Sequence, residues 1–321
     1  MNILLDTLGS DMGEVELVEG AIKALDQKDF KITLVGNEEK NREIVAGRHE
    51  GRISYIDARD VIDNNKSATR EIRSKKDSSM RVAFERLNED EYDGMLSAGS
   101  TGALLTGATL ITKRLKNVKR PALIVVLPTL TSNVCLLDVG ANVDCSSDLL
   151  VQFAKMGYVY SKNVLGKKDS KIGLLNIGVE EHKGDSLRLE TYEKLKEYDF
   201  FKGNVEARDV LKGEFDVVIT DGFTGNVFLK AIEGIGELLG YLAKAKLKSM
   251  DPEIAGKIVK SLGSSDVIDY KSVGSAPFLG TRKPVFKSHG SSDRQAISNG
   301  ILTLIKFIEE DVTSKLEEAL D

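Results

Sequence analysis

The sequence predicts an α/β fold built on a mostly parallel sheet. Short β-branched runs alternate with longer segments that carry apolar residues at helical spacing, and this alternation is typical of βαβ units. The run Val217–Thr220 is short and apolar enough to be a buried strand. With 321 residues and no internal repeat, low-complexity tract or obvious linker, residues 1–321 are predicted to form one two-lobed domain.

The first third of the chain alternates strand and helix signals without interruption. Strands are predicted at Ile3–Asp6, Ile32–Gly36, Ile53–Asp57 and Gly94–Ser97. Helices are predicted from about Gly13 to Lys28, from about Glu38 onward and around Ser79–Asn88. The segment Ser67–Lys76 holds five charged residues and fits either a solvated helix or a loop over a site.

The same alternation continues to the end of the chain. Apolar runs at Ala122–Leu127, Val134–Val139, Lys171–Ile177 and Val285–Lys287 predict further strands, whereas Phe200–Asn204 is ambiguous. Helices are predicted over Ser146–Lys162, from Ser186 to about Glu197, and in one closing segment with Ile297, Ile301 and Leu316 along one face. The segment 227–262 fits two helices broken at Asp251-Pro252.

Composition excludes several classes of protein. The 45 basic and 50 acidic residues give a net charge of −5, so no global positive field recruits nucleic acid. Cys135 and Cys145 lack metal-type spacing and are expected to be free thiols in a reducing compartment. The apolar run before Asp6 is too short for a signal peptide, and no stretch is long enough to span a bilayer, so a cytoplasmic location is expected.

Five predicted strand ends share glycine together with hydroxyl or amide groups. They are SAGSTGA at 97–103, DVGAN at 138–142, NIGVEEHKG at 176–184, DGFTGN at 221–226 and SHGSSD at 288–293. Glycine allows close backbone approach, and the free N–H groups of a following helix favour an anion. Five such turns in one parallel sheet are expected to meet at one edge. They predict a site for phosphate or a phosphate-like ligand.

Three side chains of these turns are candidates for the anion site. His289 is expected either to line the site or to be an ordinary surface histidine, and Lys183 is expected to reach a bound phosphate as a point charge or to be solvated. His182 lies beside Lys183. The dinucleotide fingerprint, the P-loop, the G-x-S-x-G elbow and the HExxH motif are absent from the sequence. The site therefore resembles one that orients an anion as a reactant.

The predicted helical segment 227–262 carries a second signal. Apolar residues at helical spacing include Leu238, Leu239, Leu242 and Ile258, and lysines cluster near the predicted hairpin tip at Lys244, Lys246 and Lys248. Basic residues beside an apolar stripe suit an anionic membrane surface. A helix pair that faces the core or a second subunit fits the same pattern.

The motifs LLDVGANVD, GNVEARD, DGFTGNVFLK and KSHGSSD resemble the PlsX family of phosphate acyltransferases, and the resemblance covers nearly the whole chain. It implies a three-layer α/β/α fold related to phosphotransacetylases and to isocitrate and isopropylmalate dehydrogenases. It also implies transfer of a fatty acyl group from acyl-acyl carrier protein to inorganic phosphate, for phospholipid synthesis. A homodimer bound peripherally to the membrane through a helical hairpin over about 227–262 is expected, with no cofactor and no metal.

The resemblance also implies roles for individual residues. Lys183 and Asn226 are expected to be catalytic, and His289, also a catalytic candidate, is expected either to orient phosphate or to carry a proton. Phosphate and substrate contacts are expected from the strand-end turns, at Gly99, Ser100, Thr101, Gly102, Asn142, Gly184, Asp221, Gly222, Thr224, Gly225, Ser291, Ser292 and Asp293. The hairpin residues Leu238, Leu239, Leu242, Lys244, Lys246, Lys248 and Ile258 are expected to meet the membrane or the acyl chain.

The chain departs from the family pattern at several positions. Ser100 and Asp185 stand where asparagine is usual, Ser275 stands where glycine is usual, and the first loop lacks the usual nearby proline. Asp185 adds negative charge near the expected anion site, although it could also cap the following helix. The alternatives are an acyltransferase that uses acyl-coenzyme A, a catalytically silent membrane or carrier-protein binding module, and a decarboxylating dehydrogenase of related fold.

Overall fold

A computed structural model of the chain describes residues 1–63, 66–248 and 274–321. Within these residues eleven strands are joined in a single sheet. The strands are β1 (Asn2–Asp6), β2 (Lys31–Gly36), β3 (Ile53–Asp57), β4 (Gly94–Ser97), β5 (Ala122–Pro128), β6 (Asn133–Leu137), β7 (Ile172–Asn176), β8 (Phe201–Glu206), β9 (Val217–Ile219), β10 (Ala276–Leu279) and β11 (Val285–Lys287).

Helices connect most of these strands. They are α1 (Glu14–Gln27), α2 (Glu38–Val45), α3 (Ala68–Ser74), α4 (Ser79–Leu87), α5 (Thr101–Gly107), α6 (Ser147–Asn163), α7 (Ser186–Leu195), α8 (Gly222–Lys248), α9 (Arg294–Glu309) and α10 (Val312–Leu320). A π-helical turn, Ala108–Thr112, extends α5, and a 3₁₀ helix, Ala207–Lys212, follows β8. Most of the charged segment Ser67–Lys76 is therefore helical, as α3.

Helices cover both faces of the sheet, as the three-layer prediction requires. Side chains alternate along a strand, so Ile3 and Leu5 of β1 join one hydrophobic cluster with α1, α6, α9 and α10, while Leu4 joins the other. That second cluster contains Phe84 of α4 and Leu104 of α5, with Phe228 of α8 packed against it. The candidate site described below lies on the face of this second cluster.

The strand order is β3-β2-β1-β4-β11-β10-β5-β6-β9-β7-β8, and the sheet reverses direction in its middle. β10 is antiparallel to both β11 and β5, and β5 is antiparallel to β6. The remaining neighbours are parallel. Consequently β6, β7, β8 and β9 run opposite to β1–β4 and β11. The five strand-end turns therefore do not share one strand direction, but residues of the turns after β4, β6, β9 and β11 line a single cavity, described below, and the turn after β7 does not.

Two helix boundaries also differ from the sequence prediction. The DGFTGN segment was expected to be a turn before a helix, but α8 begins at Gly222 because the Asp221 carboxylate accepts a hydrogen bond from Thr224 N at 2.9 Å. The closing helix is divided in two at Asp311, which has a left-handed backbone with φ of 45°. Asn226 consequently lies inside the first two turns of a helix.

In the part of the chain that the structure describes, no helix combines the length and the apolar character needed to cross a membrane. The second arm of the predicted hairpin, with Ile258, lies outside the described residues. The prediction of a hairpin over 227–262 is therefore tested only in its first arm, which is α8.

Close packing of α6 on the sheet gives a prediction about stability. A Cβ added at Gly157 would lie 2.6 Å from Val217 Cγ1 and 3.1 Å from Leu137 Cδ2. Gly157→Ala should therefore lower the free energy of unfolding by about 1–3 kcal/mol, measured by urea denaturation. Gly236→Ala is the matched control, because a Cβ there meets nothing within 4 Å and alanine favours the helix. Equal stability of the two variants would contradict the packing described for α6.

Candidate functional site

A cavity of about 500 Å³ lies over β5, between the reversed half of the sheet and the half that contains β4 and β11. Its size is within the range of small-molecule sites. Six parts of the chain line it besides β5, and most of them follow strand ends. The lining residues are Gly9, Asp11, Ala98, Gly99, Ser100, Thr101, Leu123, Val125, Val126, Leu127, Val139, Gly140, Asn226, Leu229, Lys230, Ile232, Glu233, Gly274, Ser275, Ala276, Lys287, His289, Gly290, Ser291 and Ser292.

A buried carboxyl group holds the loop that follows β4. Ser97 Oγ donates to Asp6 Oδ2 at 2.7 Å and accepts from Gly99 N at 3.0 Å. Burial raises the pKa of Asp6 above its ordinary value, against the opposing effect of hydrogen bonds from Ser79, Ser97 and Leu8 N. This network fixes the backbone at Gly99, where the chain passes along the cavity.

The loop that follows β11 holds His289 in one orientation. His289 Nδ1 accepts from Ser291 N at 3.2 Å and lies 2.8 Å from Ser291 Oγ. Partial desolvation, with the nearby charges of Lys287 and Lys230, lowers the pKa of His289 below its ordinary value. These interactions assign a neutral imidazole whose Nδ1 is an acceptor and whose Nε2 carries the proton. His289 can therefore donate a hydrogen bond from Nε2.

Helix α8 supplies the second wall of the cavity. Asn226 projects beside Gly140, where an ideal Cβ would lie 3.5 Å from Asn226 Cγ. Leu229 and Ile232 follow on the same side of α8, and they share the lining with Leu123, Val125 and Leu127 of β5. The cavity thus has hydroxyl, imidazole and ammonium groups from the loops, together with an aliphatic wall.

Two residues predicted to contact phosphate, Asp221 and Thr224, lie instead in an ionic cluster outside the cavity lining. We call it the Arg188 cluster, and it consists of Arg188, Asp185, Asp221 and Thr224. The Arg188 guanidinium contacts the Asp221 carboxylate, donates to Thr224 Oγ1 at 3.1 Å and donates to Asp185 Oδ2 at 2.9 Å. Its side chain is 12% exposed and that of Asp221 is 8% exposed. Asp221 and Thr224 are thereby engaged in structural contacts.

A second buried carboxyl group organises the turn after β6. Asp138 accepts hydrogen bonds from Leu123 N at 2.9 Å, Asn142 N at 2.5 Å and Asn142 Nδ2 at 3.0 Å. Burial raises the pKa of Asp138 to about 6. Asn142 also donates to Pro121 O at 2.8 Å, so its amide is engaged within the fold. Of the DVGAN turn, Val139 and Gly140 line the cavity, whereas Asn142 is not among the lining residues.

The two glycines of DGFTGN also have a packing role. Gly222 N donates to Asn142 O at 2.7 Å, and a Cβ at Gly225 would overlap the carbonyl oxygen of Asp138. A side chain at Gly225 would therefore push α8 away from the turn after β6. These contacts place Asn226 at the cavity without exposing either glycine to it.

The HKG segment is not part of the cavity lining. Lys183 is partly buried and its carbonyl oxygen accepts from Asn176 Nδ2 at 3.0 Å, while Gly184 has φ of 104°. Gly102 and Asp293 are also absent from the lining residues, and Asp293 caps α9 by accepting from Ala296 N at 2.9 Å. Of the predicted residues, the cavity brings together Gly99, Ser100, Thr101, Asn226, His289, Ser291 and Ser292. The catalytic role of Lys183 stays a prediction.

The cap that the sequence allowed for Asp185 is present. Its side chain accepts from Arg188 N at 2.9 Å at the start of α7. The structure also shows charged lining residues that the sequence analysis did not single out, namely Asp11, Lys230, Glu233 and Lys287. A sequence signal existed for Lys287, because it is the last residue of a strand and directly precedes the SHGSSD turn at 288–293.

Comparison with known proteins places the chain in a family. The family model described as "Fatty acid synthesis protein" matches residues 1–315. A phosphate acyltransferase from Finegoldia magna is 68% identical over 323 residues, covering 100% of this chain and 99% of that protein. The chain belongs to the fatty acid synthesis protein family. A second member, a phosphate acyltransferase from Thermoanaerobacter pseudethanolicus, is 40% identical over 326 residues, covering 100% of this chain and 98% of that protein.

The resemblance to the PlsX phosphate acyltransferases is therefore confirmed, and with it the prediction of an acyltransferase of fatty acid and phospholipid synthesis. Solved structures support the fold. A phosphotransacetylase from Streptococcus pyogenes superposes with a TM-score of 0.60 at 18% identity, covering 96% of this chain and 94% of that one. A branched-chain phosphotransacylase from Enterococcus faecalis gives a TM-score of 0.59 at 14% identity, covering 96% and 99%. The predicted fold class is confirmed.

The Arg188 cluster gives a prediction for this family member. Arg188→Ala leaves the Asp221 carboxylate buried without its positive partner, and we expect the free energy of unfolding to fall by about 3–5 kcal/mol in urea denaturation at pH 7. Arg208→Ala is the control, because the Arg208 side chain is 78% exposed and pairs with Glu206 at the surface. The control should change stability by less than about 1 kcal/mol. A similarly small effect of Arg188→Ala would show that Asp221 is stabilised without the ion pair.

The same ion pair depends on pH in a defined direction. Burial raises the pKa of Asp221, but hydrogen bonds from Thr224 and the charge of Arg188 outweigh this effect and hold the pKa below its ordinary value. A lowered carboxyl pKa stabilises the protein above the unfolded-state pKa of about 3.9 and loses that effect as the pH falls through the folded-state value. The destabilisation caused by Arg188→Ala should accordingly be smaller at pH 3 than at pH 7.

Proposed function

We propose that this chain transfers a fatty acyl group from acyl-acyl carrier protein to inorganic phosphate. The products are an acyl phosphate and the free thiol of the carrier protein. Membership of the fatty acid synthesis protein family supports the reaction class. The cavity has polar groups suited to phosphate and an aliphatic wall suited to an acyl chain. The observation that carries the proposal is the lining itself, which places polar loop groups and an aliphatic wall in one space beside Asn226.

The chemistry requires orientation more than an amino-acid nucleophile. Phosphate has a second pKa near neutrality, by analogy with phosphomonoesters at about 6, so its dianion is available at pH 7. A phosphate oxygen attacks the thioester carbonyl carbon, the carbon–sulfur bond breaks, and the sulfur leaves as a thiolate. A thiol with a pKa of about 8.5 is a good enough leaving group without a strong acid, and the thiolate then takes a proton from solvent.

Two side chains of the cavity have defined parts in this reaction. Asn226 Nδ2 is a neutral donor at the wall and suits the oxyanion that forms on the carbonyl oxygen during attack. His289, neutral and protonated at Nε2, donates a hydrogen bond to phosphate or to the departing sulfur. Lys183 lies outside the lining residues, so any contribution from it would require a different arrangement of the HKG segment.

The aliphatic wall is proposed to hold the acyl chain. Leu123, Val125 and Leu127 lie on β5, and Leu229 and Ile232 face them from α8. Each methylene group of a substrate that is buried contributes about 0.8 kcal/mol to the binding free energy. This wall can therefore favour a long acyl chain over a short one. Phosphate would then lie at the loops after β4 and β11.

A single assay tests the proposed function. Thiol release from acyl-acyl carrier protein should depend on added inorganic phosphate, and Asn226→Ala should lower its rate by about 10²–10³ because one oxyanion donor is lost. Asn163→Ala is the matched control, since Asn163 Nδ2 bonds Val159 O at the end of α6, away from the cavity. It should keep the wild-type rate.

Other results of this assay would overturn the proposal. Release that does not require phosphate would indicate a hydrolase. Faster release from acyl-coenzyme A than from acyl-acyl carrier protein would indicate an acyltransferase of the phosphotransacetylase type. Binding of the carrier protein without thiol release would indicate a silent binding module.

We also propose that the protein works as a homodimer associated peripherally with the inner face of the cell membrane. Support comes from α8, whose residues Ile235, Leu238, Leu239, Tyr241 and Leu242 are all more than half exposed in the chain. An apolar helical surface followed by lysines suits an anionic lipid interface. Lys244, Lys246 and Lys248 lie at the end of this helix.

The membrane proposal predicts a charge-dependent interaction. Lys244→Glu, Lys246→Glu and Lys248→Glu combined should abolish binding to anionic vesicles in a flotation assay, because each lysine near such a surface contributes about 1 kcal/mol. Replacement of all three by arginine is the control and should preserve binding. Stability and dimer mass, measured by urea denaturation and light scattering, should be unchanged. Vesicle binding by the glutamate variant at the wild-type level would contradict the proposal.

A further inference from the structure

One lysine at the cavity differs from the others in its surroundings. Lys287, the last residue of β11, donates to Ala98 O at 3.4 Å and to Ser288 O, and it lines the cavity. In the described part of the chain, no carboxylate oxygen lies within 4 Å of its Nζ. Lys230, by comparison, is 56% exposed and its Nζ lies 2.6 Å from Glu233 Oε2. Lys287 is a partly buried positive charge held by carbonyl groups alone.

We propose that Lys287 is the residue that holds inorganic phosphate in this cavity, an inference that rests on the proposed function. A lysine ammonium has three N–H donors, and two carbonyl groups engage two of them. The third is left for a ligand. A charge-assisted hydrogen bond to phosphate would add the anionic partner that the carbonyl groups do not provide.

Several backbone amides of the neighbouring loops are already engaged, which favours a side-chain cation as the phosphate ligand. Gly99 N donates to Ser97 Oγ, Ser291 N donates to His289 Nδ1, and Ser292 N donates to His289 O at 3.0 Å. Three of the amides that were expected to hold phosphate are thus already engaged within their own loops. A side-chain cation is therefore favoured for this role, and Lys287 lies on the lining together with the Thr101 hydroxyl.

The charges around Lys287 are consistent with an anion site that responds to pH. Burial lowers the pKa of Lys287 to about 8, with Lys230 lowering it further and Asp11 of the β1–α1 loop opposing this shift. Glu233 of α8 pairs with Lys230 and offsets its charge, while His289 is neutral at pH 7. Lys287 is consequently an ammonium at pH 7 and loses its charge as the pH rises through about 8.

The direction of the pH effect follows from this titration. Phosphate is already a dianion above pH 8, so its own ionisation does not weaken binding there. Loss of the Lys287 charge does weaken it, and the affinity for phosphate should fall about tenfold per pH unit above the pKa. A guanidinium at the same position keeps its charge to beyond pH 12 and should remove the alkaline fall.

The test measures the binding of inorganic phosphate in two ways. The dissociation constant of inorganic phosphate is measured by isothermal titration calorimetry without acyl donor, and the KM for phosphate is measured by thiol release, both from pH 6.5 to 9.5. Wild type, Lys287→Arg, Lys287→Gln and Lys283→Gln are compared. Lys283 is the control because its Nζ donates to Tyr92 O at 2.8 Å and it is not a lining residue.

We expect Lys287→Gln to bind phosphate about ten to a hundred times more weakly at pH 7, with no further fall at alkaline pH. Lys287→Arg should retain binding up to pH 9.5, and Lys283→Gln should match wild type. Wild-type affinity in the glutamine variant, or an alkaline fall that persists in the arginine variant, would overturn the assignment of Lys287 and leave the proposed function standing. Thiol release by wild type that does not depend on phosphate, together with absence of phosphate binding, would overturn both. If Lys287→Gln does not fold, the comparison of wild type with Lys287→Arg decides.

Discussion

The close approach of α8 to the turn after β6 determines where the cavity lies and which residues face it. Gly222 N bonds Asn142 O, Gly225 packs on the backbone of Asp138, and Asp221 caps the helix while it pairs with Arg188. From this fixed start, α8 carries Asn226, Leu229 and Ile232 along the cavity. The proposed orientation of an acyl group beside an anion depends on the separation between this helix and the loops after β4 and β11.

Much of the fold was predictable from the sequence because the hydrophobic period distinguishes strands from helices along most of this chain. A mostly parallel sheet was predicted, but the antiparallel pairs that reverse it in the middle were not. A period of two residues reports which side chains are buried and carries no information about parallel or antiparallel pairing. The distance between β5 and β6 did carry that information, since residues 129–132 are too few for a parallel crossover. Recognising the hairpin would have shown that the sheet changes direction between β5 and β6.

The site was predictable only where a turn leaves polar groups for a ligand. The loops around Ser100 and His289 line the cavity, whereas Asp221, Thr224 and Asp293 serve the protein as helix caps and ion-pair partners. The same residue types suit both purposes, because a capped helix start and an anion site need the same groups near the backbone. Asp221 is engaged in an ion pair with Arg188, which lies 33 positions away in the sequence, on another helix. Its pairing depends on tertiary structure and was not evident in the motif.

The two walls of the cavity differ in how freely they can change during evolution. β5 is hydrogen-bonded on both sides, to β10 and to β6, and its side chains pack on both faces of the sheet. A larger or smaller residue at Leu123 or Leu127 would disturb packing on the strand that joins the two halves of the molecule. Leu229 and Ile232 of α8, by contrast, are only partly buried where they pack against the core. Divergence in the size of the substrate that this architecture accepts should therefore arise first at Leu229 and Ile232, with β5 as the constant reference.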